Sequence, residues 1–134
     1  MNKVVLPAVV VADPDPASQQ QIVELLKSSF RCIVTNTLTD TYRTIRHELP
    51  PLLVLELDQP DGDGLKLIQA LQSDPTLRQI LVACVTRRSS IKDKIAAFRV
   101  GADDYLVKPL VPSMNFYGRM LLLRRAGHIA RAAR

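Results

Sequence analysis

Short aliphatic runs alternate along the chain with segments whose apolar residues recur at helical spacing. The aliphatic runs span residues 7–13, 31–36, 52–57, 80–86 and 105–108. Most of them are continuously apolar, which is typical of strands that are covered on both faces. The pattern therefore predicts five buried strands.

Helical segments follow the strands. Their apolar residues recur at Ile22, Leu25, Leu26 and Phe30, at Tyr42, Ile45 and Leu49, at Leu65, Ile68 and Leu71, and at Ile91, Ile95 and Phe98. Asp15 with Pro16 predicts the start of the first helix, and Gly101 predicts the end of the fourth. Pro112 with Ser113 predicts the start of a fifth helix.

This order of elements predicts one α/β domain. Strands that alternate with helices of this length indicate a doubly wound parallel sheet with right-handed crossovers and helices on both faces. A chain of 134 residues can bury a sufficient core without a disulfide or a structural metal. In such a sheet, ligands and chemistry lie outside the carboxyl ends of the strands, so the search for a site begins there.

Polar residues that can carry chemistry occur at the carboxyl ends of four predicted strands. Asp13 ends the first strand and Glu56 lies at the end of the third. Thr86 ends the fourth strand and Lys108 ends the fifth. A lone acid at a strand end is usually a solvated loop residue or a helix cap. Two acids, a hydroxyl and an ammonium group from four separate segments instead predict one shared pocket.

Four segments together resemble the receiver domain of bacterial response regulators. They are VVVADPDP at the first strand, LLVLELDQPDGDGLKLI at the third, VACVT at the fourth and GADDYLVKPL at the fifth, and the resemblance covers residues 8–124. It implies a flavodoxin-like five-stranded sheet of order 2-1-3-4-5. It also implies two-component phosphorelay signalling, in which a histidine kinase transfers a phosphoryl group to an aspartate after the third strand, with Mg²⁺ assisting.

The resemblance implies a role for each residue of the pocket. Thr86 matches the switch hydroxyl that bonds the phosphoryl group, and Lys108 matches the lysine that pairs with it. Asp13 matches the first acid of the metal-binding pair, and Asp58 matches the position that gives its carbonyl oxygen to the metal. Tyr105 matches the rotameric aromatic residue of the output face.

Two positions depart from the family pattern. Glu56 stands where the phospho-accepting aspartate belongs, and Pro14 stands where the second metal-binding acid belongs. An extra methylene moves the carboxylate by about one bond length, and a misplacement of about 1 Å costs roughly a hundredfold in rate. Mg²⁺ needs near-octahedral oxygen coordination, so a lost ligand weakens its site. We therefore predict an atypical, non-enzymatic pseudo-receiver that is not phosphorylated in the usual way and has a weakened Mg²⁺ site.

The sequence allows two roles for Glu56. In one, its carboxylate points toward Lys108 and Thr86, imitates a phosphorylated aspartate and holds the domain in one conformation. In the other, it is an inert replacement paired with Lys108, in a domain kept for its surfaces. Both roles require Lys108 to reach the pocket, and the resemblance implies a cis bond before Pro109 that aims it there. Cis bonds are otherwise about 5–6% of X–Pro bonds in folded proteins.

Charge is distributed unevenly along the chain. The net charge is +5, but residues 1–112 contain thirteen acidic and thirteen basic residues, whereas residues 113–134 contain five arginines and no acid. A basic tail can bind nucleic acid or acidic lipid. Because no aromatic residue lies between these arginines for base stacking, we favour a solvated helix end over direct nucleic-acid binding. We predict a receiver at 1–125 and, at 126–134, a basic helical extension or the start of a linker.

The expected partners are proteins: a histidine kinase, an output domain or a second copy of the chain. No apolar run approaches the roughly 18 residues of a membrane span, and we expect a cytoplasmic protein. A homodimer would pair opposite charges across a two-fold axis, through the face of the fourth helix, fifth strand and fifth helix. The residues predicted on that face are Lys92, Lys94, Arg99, Asp103, Asp104, Tyr105, Arg119 and Arg124.

Other function classes fit the sequence less well. The segment VVVADPDP is also similar to the nucleophile motif of haloacid-dehalogenase-type phosphatases, with Asp13 and Asp15 as the acids. In that family the metal-binding acids follow their strand, whereas Asp103 and Asp104 precede theirs. A flavin or nucleotide site would need backbone N–H groups for a phosphate, and the two prolines of DPDP have none. The phosphatase therefore stays as the alternative to the receiver.

Overall fold

The computed structural model describes the backbone of residues 5–132 and the side chains of residues 5–127. Its five main strands are β1 (Ala8–Ala12), β2 (Arg31–Thr35), β3 (Leu52–Leu55), β4 (Leu81–Thr86) and β5 (Asp104–Val107). Its helices are α1 (Pro16–Leu26), α2 (Leu38–Glu48), α3 (Gly64–Gln72), α4 (Ile91–Val100) and α5 (Phe116–Ala132). Short 3-10 turns lie at Leu77–Gln79 and Pro112–Met114, and Asp58–Gln59 pairs with Gly62–Asp63 as a small antiparallel hairpin.

The five strands form one parallel sheet of order β2-β1-β3-β4-β5. This confirms the predicted flavodoxin-like fold and its strand order. In the register of the sheet, Val10 lies between Ile33 and Leu53, and Leu53 is paired in turn with Val82. The chain passes from β1 to β2 on one side and then crosses over β1 to reach β3 on the other. The direction of winding therefore reverses between β1 and β3, where doubly wound proteins place their sites.

Each face of the sheet has its own hydrophobic core. On one face, alternate strand residues such as Val10 and Leu53 pack with α2, α3 and α4. On the other face, Val9 and Val54 pack with α1 and α5. This two-sided burial explains why the strands are continuously apolar and do not alternate between apolar and polar residues.

The helix ends follow the local chemistry that the sequence indicated. Asp15 caps α1 by accepting a hydrogen bond from the backbone N–H of Ala17, with Pro16 in the first turn. Gly101, at φ 121°, ends α4. Loss of an N-cap side chain such as that of Asp15 typically lowers the free energy of unfolding by about 1 kcal/mol. The fifth helix begins later than predicted, because the 3-10 turn at Pro112–Met114 precedes it.

Helix α4 turns its stripe of large apolar residues toward solvent and not toward the core. An apolar stripe normally faces the core, but Ile91, Ile95 and Phe98 are 74%, 45% and 49% exposed. The buried residue of α4 is Ala97, which packs in the core beside α3. A small side chain there lets the helix approach closely, and its larger apolar residues are left at the surface.

The last helix crosses the predicted boundary between residues 125 and 126 without interruption. Residues 133–134 and the side chains of residues 128–134 lie outside the described part of the protein, so the nature of segment 126–134 stays a prediction. Within residues 5–132, the longest helix is neither long nor apolar enough for a membrane span.

Candidate functional site

The carboxyl edge of the sheet brings together residues from four strand ends. Asp13 follows β1, Glu56 follows β3, Thr86 is the last residue of β4 and Lys108 follows β5. The parallel register aligns these strand ends, because Ala12 is paired with Leu55 and Thr86 with Val107. Asp13, Glu56, Thr86 and Lys108 are hereafter the acidic pocket.

Lys108 forms ion pairs with both carboxylates of the acidic pocket. Its Nζ atom lies 2.7 Å from Oδ2 of Asp13 and 3.1 Å from Oε1 of Glu56. The three side chains are almost completely withdrawn from solvent, at 6% exposure for Lys108, 2% for Asp13 and 8% for Glu56. Burial of these charges without pairing would be very costly, so each depends on the others. The Lys108–Pro109 peptide bond is cis.

The remaining carboxylate oxygens of the pocket accept backbone hydrogen bonds. Oδ1 of Asp13 accepts a hydrogen bond from the N–H of Asp15 at 2.9 Å. Oε2 of Glu56 accepts a longer one from the N–H of Asp58 at 3.4 Å. Each of the four carboxylate oxygens therefore has a donor from the chain itself, and the pocket is electrostatically satisfied without a ligand.

Thr86, a member of the acidic pocket, and Tyr105 of β5 both form hydrogen bonds with the backbone of Arg88 and not with Glu56. Thr86 is fully buried, and its Oγ1 atom accepts a hydrogen bond from the N–H of Arg88 at 3.3 Å. No hydrogen bond joins Thr86 to Glu56 within the described side chains. Tyr105 is 8% exposed, and its hydroxyl donates to the carbonyl oxygen of Arg88 at 2.7 Å. Burial, and secondarily the charge of Asp93, raises the pKa of Tyr105 to about 12.

Arg88 is a site residue that the sequence reasoning missed. Its Nε atom donates to Oδ1 of Asp58 at 2.9 Å, and its Nη2 atom lies 3.3 Å from Oδ1 of Asp63. Nη2 also donates to the carbonyl oxygen of Leu57 at 3.5 Å. Its two acidic partners belong to the segment DQPDGDG, but nothing in the sequence pairs that segment with Arg88.

Two further polar residues of the loop after β3 tie neighbouring elements together. The Gln59 side-chain amide donates to the carbonyl oxygens of Ala12 at 3.0 Å and of Glu56 at 2.9 Å, which joins the ends of β1 and β3. The Asp61 carboxylate accepts hydrogen bonds from the N–H groups of Leu38 and Thr39, at the start of α2. These hydrogen bonds lower the pKa of Asp61.

The donor set of the acidic pocket does not fit Mg²⁺. Asp13 and Glu56 are the two carboxylates that face the pocket, and both contact the Lys108 ammonium. Pro14 has no oxygen to offer from its side chain, and the Asp58 carboxylate is engaged by Arg88. Within the described side chains, no group of three or more acidic, histidine or cysteine residues is arranged to hold a metal ion. The Lys108 ammonium thus occupies the carboxylate oxygens of Asp13 and Glu56 that a divalent ion would need as ligands.

In the phosphatase alternative, Asp13 and Asp15 lie side by side after β1, but the candidate metal-binding acid Asp104 lies apart from them. The Asp15 carboxylate caps α1, and the Ser18 hydroxyl, which donates to it at 3.0 Å, is the main cause of its lowered pKa. Asp104 lies at the amino end of β5, at the opposite edge of the sheet from Asp13, and is paired with Arg119. Asp104 is therefore too far from Asp13 to act as the metal-binding acid of such a phosphatase.

The α4–β5–α5 face is the surface formed by α4, β5 and α5. Arg119 of α5 pairs with Asp104 of β5, with Nε 2.9 Å from Oδ2. The Tyr105 ring lies under this face, 6.4 Å from the ring of Phe98 between centroids. The apolar stripe of Ile91, Ile95 and Phe98 lies on its outer side. The predicted surface is therefore partly apolar, and one of its charge pairs forms within the chain.

Known proteins share this architecture. The model of the response regulator receiver domain family matches residues 9–114. The chain is 32% identical over 127 residues to the transcriptional regulatory protein PrrA of Mycobacterium tuberculosis, with 92% of this chain and 53% of PrrA covered. It is 26% identical over 121 residues to response regulator Rre1 of Synechocystis sp., with 88% of this chain and 52% of Rre1 covered.

A solved structure gives the same result. The BeF3-activated N-terminal receiver domain of Klebsiella pneumoniae RstA is 25% identical and superposes with a TM-score of 0.79, over 88% of this chain and 98% of that one. The chain spans about half the length of the curated relatives it matches. Because the family model matches most of the residues and the fold agrees, the chain belongs to the response regulator receiver domain family.

Proposed function

We propose that this chain is a receiver of two-component signalling whose conformation is independent of the usual phosphorylation and which acts by binding other proteins. Receiver domains are signalling modules that interact with histidine kinases and output domains, and they commonly bind Mg²⁺ at the acceptor site. The present chain has the receiver fold and the lysine and hydroxyl of the pocket. It lacks the aspartate that accepts the phosphoryl group and the second metal-binding acid.

The observation that carries the proposal is the contact of Lys108 with both Glu56 and Asp13. Phosphoryl transfer is mostly positioning and charge neutralisation. In this pocket the neutralising ammonium already contacts Glu56, whose carboxylate extends one methylene farther than that of an aspartate. An incoming phosphoryl donor would have to displace a buried ion pair, with no metal ligand at residue 14 to offset its negative charge.

A fixed conformation is supported by the arrangement around Tyr105. The Glu56 carboxylate contacts Lys108, as a phosphorylated aspartate would, and Tyr105 is buried beneath the α4–β5–α5 face. The expected bond between Thr86 and Glu56 is not formed, and the Thr86 hydroxyl instead accepts a hydrogen bond from the N–H of Arg88. We therefore favour a Glu56 that imitates the charge of the phosphorylated state, while contacts of the following loop hold Tyr105 inward.

The proposed contact surface is the α4–β5–α5 face. Its apolar stripe is exposed, and the basic residues beside it, Lys92, Lys94 and Arg99, have no ion-pair partner within the described side chains. A protein partner with an apolar patch bordered by acids would complement this surface. The same surface would serve a homodimer, an output domain or a histidine kinase.

Intact-mass spectrometry after incubation with acetyl phosphate and Mg²⁺ tests the phosphorylation part of the proposal. We expect the wild-type chain to keep its unmodified mass under conditions that phosphorylate an ordinary receiver run in parallel. A Glu56→Ala variant is the matched control, because any adduct that persists in it lies elsewhere. A stoichiometric phosphoryl adduct in the wild type that disappears in Glu56→Ala would contradict the proposal.

A further inference from the structure

Tyr105 is held inward by an atom of Arg88 and not by the acidic pocket. Its hydroxyl donates to the Arg88 carbonyl oxygen at 2.7 Å. The position of Tyr105 therefore depends on what fixes the backbone at residue 88. That residue belongs to the loop of residues 87–90 between β4 and α4, outside both the strand and the helix.

The Arg88 side chain anchors that backbone to a different loop. Its guanidinium reaches from the loop between β4 and α4 to Asp58 and Asp63, which flank the hairpin after β3. It also donates to the carbonyl oxygen of Leu57. The Arg88 side chain is 21% exposed, whereas its partners Asp58 and Asp63 are 62% and 40% exposed, so the guanidinium is partly withdrawn from solvent but the carboxylates are not.

We propose that Arg88 is a positioning residue whose guanidinium, bound to Asp58, Asp63 and the Leu57 carbonyl oxygen, latches the loop between β4 and α4 and thereby keeps Tyr105 buried. The Arg88 latch is this set of contacts. It connects the loop after β3, which carries Glu56, to the α4–β5–α5 face through the atoms of one residue. The side chain of Arg88 contacts the acids, and its backbone contacts Thr86 and Tyr105.

The chemistry of the guanidinium suits this role. Its planar fork donates several hydrogen bonds in fixed directions, and it stays charged at every relevant pH. Without it, Asp58 and Asp63 would face one another with no cation between them. A lysine would keep the charge but lose the fork, so it would hold the two acids less firmly.

The latch deepens the proposed function by naming how the conformation is maintained, but the two are tested separately. The mass of the chain after acetyl phosphate reports on Glu56 alone. Motion of the loop between β4 and α4 reports on Arg88, whether or not Glu56 accepts a phosphoryl group. If the prediction for Glu56 fails, the prediction for Arg88 can still be tested, and the reverse also holds.

Hydrogen–deuterium exchange of the full chain tests the latch. Arg88→Ala should speed exchange in peptides that cover residues 86–92 by roughly tenfold, because local opening of that loop becomes easier. Peptides that cover β1 should be unchanged. Arg87→Ala is the matched control, since Arg87 is an exposed neighbour. Arg88→Lys should be intermediate.

Tyrosine signals supply the second measurement. The chain has no tryptophan and three tyrosines, so near-ultraviolet circular dichroism reports mainly on tyrosine environments. Arg88→Ala should change this spectrum relative to the wild type. When Tyr105 is replaced by phenylalanine in both proteins, their spectra should no longer differ. Equal exchange at residues 86–92 in Arg88→Ala and Arg87→Ala would overturn the latch. If Arg88→Ala speeds exchange throughout the chain, the variant with both Asp58→Asn and Asp63→Asn provides the test. Faster exchange confined to residues 86–92 in this double variant supports the latch. Exchange at the wild-type rate in those residues overturns it.

Discussion

The Nζ atom of Lys108 lies 3.1 Å from Oε1 of Glu56, in a pocket where both side chains are almost entirely buried. The Glu56 carboxylate thus contacts the lysine directly, without an intervening group. The second contact of Lys108, with Asp13 at 2.7 Å, completes a closed charge cluster. The buried charges of this cluster depend on one another, so removal of any one of them should destabilise the fold.

Lys108→Met should destabilise the protein by about 3–5 kcal/mol at neutral pH, because two buried carboxylates lose their counter-charge. Urea denaturation measures this change in the free energy of unfolding. Lys27→Met is the control, since Lys27 forms an exposed ion pair with Glu24 and should change stability by less than about 0.5 kcal/mol. A Lys108→Met variant as stable as Lys27→Met would show that the cluster contributes nothing.

Glu56→Asp combined with Pro14→Asp should restore a phosphorylation site. The shorter carboxylate leaves space for the phosphoryl group, and the new acid supplies the missing metal ligand. We expect Mg²⁺-dependent formation of a phosphoryl adduct with acetyl phosphate, detected as intact mass, in the double variant. The single Glu56→Asp variant should react more slowly because it lacks the second acid. A double variant that stays unmodified would place the block elsewhere in the pocket.

Tyr105→Phe should change the dependence of stability on alkaline pH. The pKa of Tyr105 is raised from 10.0 to about 12, mainly by burial, so the unfolded chain loses this proton at lower pH than the folded chain. The contribution of Tyr105 is therefore complete below about pH 10 and is lost as the pH rises toward about 12. Urea denaturation from pH 8 to pH 11.5 should show the wild type losing stability relative to Tyr105→Phe.

The orientation of α4 can be tested with two substitutions on opposite sides of the helix. Ile95→Lys should change stability by less than about 0.5 kcal/mol, because Ile95 is at the surface. Ala97→Leu should destabilise by about 1–3 kcal/mol, because the site is fully buried and has no space for the added atoms. Thermal or urea unfolding of both variants measures these values. The reverse order of effects would mean that the apolar stripe faces the core.

Most of the fold could be predicted from the sequence because buried parallel strands are continuously apolar and helix ends carry capping residues. The aliphatic run at 52–57 marked β3, and Asp15, Pro16 and Gly101 marked helix ends. The ends of strands were less accurate. Glu56 was included in a strand run, but β3 ends at Leu55, although the N–H of Glu56 still donates to the carbonyl oxygen of Ala12.

The outward face of α4 could not be predicted from periodicity. Spacing identifies which residues share a face of a helix, but it does not say which face meets the sheet. Here the space beside α3 accepts Ala97, and the larger residues Ile91, Ile95 and Phe98 lie outside. Because these large apolar side chains are exposed to solvent, the α4–β5–α5 face is a candidate contact surface.

The candidate site was only partly accessible to sequence reasoning. Residues at strand ends could be assigned to one edge, because parallel strands finish together. Arg88 could not, because its partners Asp58 and Asp63 lie far away in the chain and nothing local pairs them. Gln59, which crosses from the loop after β3 to the end of β1, was missed for the same reason.

The pairing of Arg119 with Asp104 inside one chain changes what a symmetric association can gain. Because Arg119 and Asp104 already neutralise each other within one chain, two copies would gain no additional attraction by pairing these residues across a two-fold axis. Self-association through this surface would then be driven by burial of the apolar side chains of Ile91, Ile95 and Phe98, and added salt would weaken it little. Selectivity for an acidic partner would come instead from Lys92, Lys94 and Arg99, and that association would be sensitive to salt.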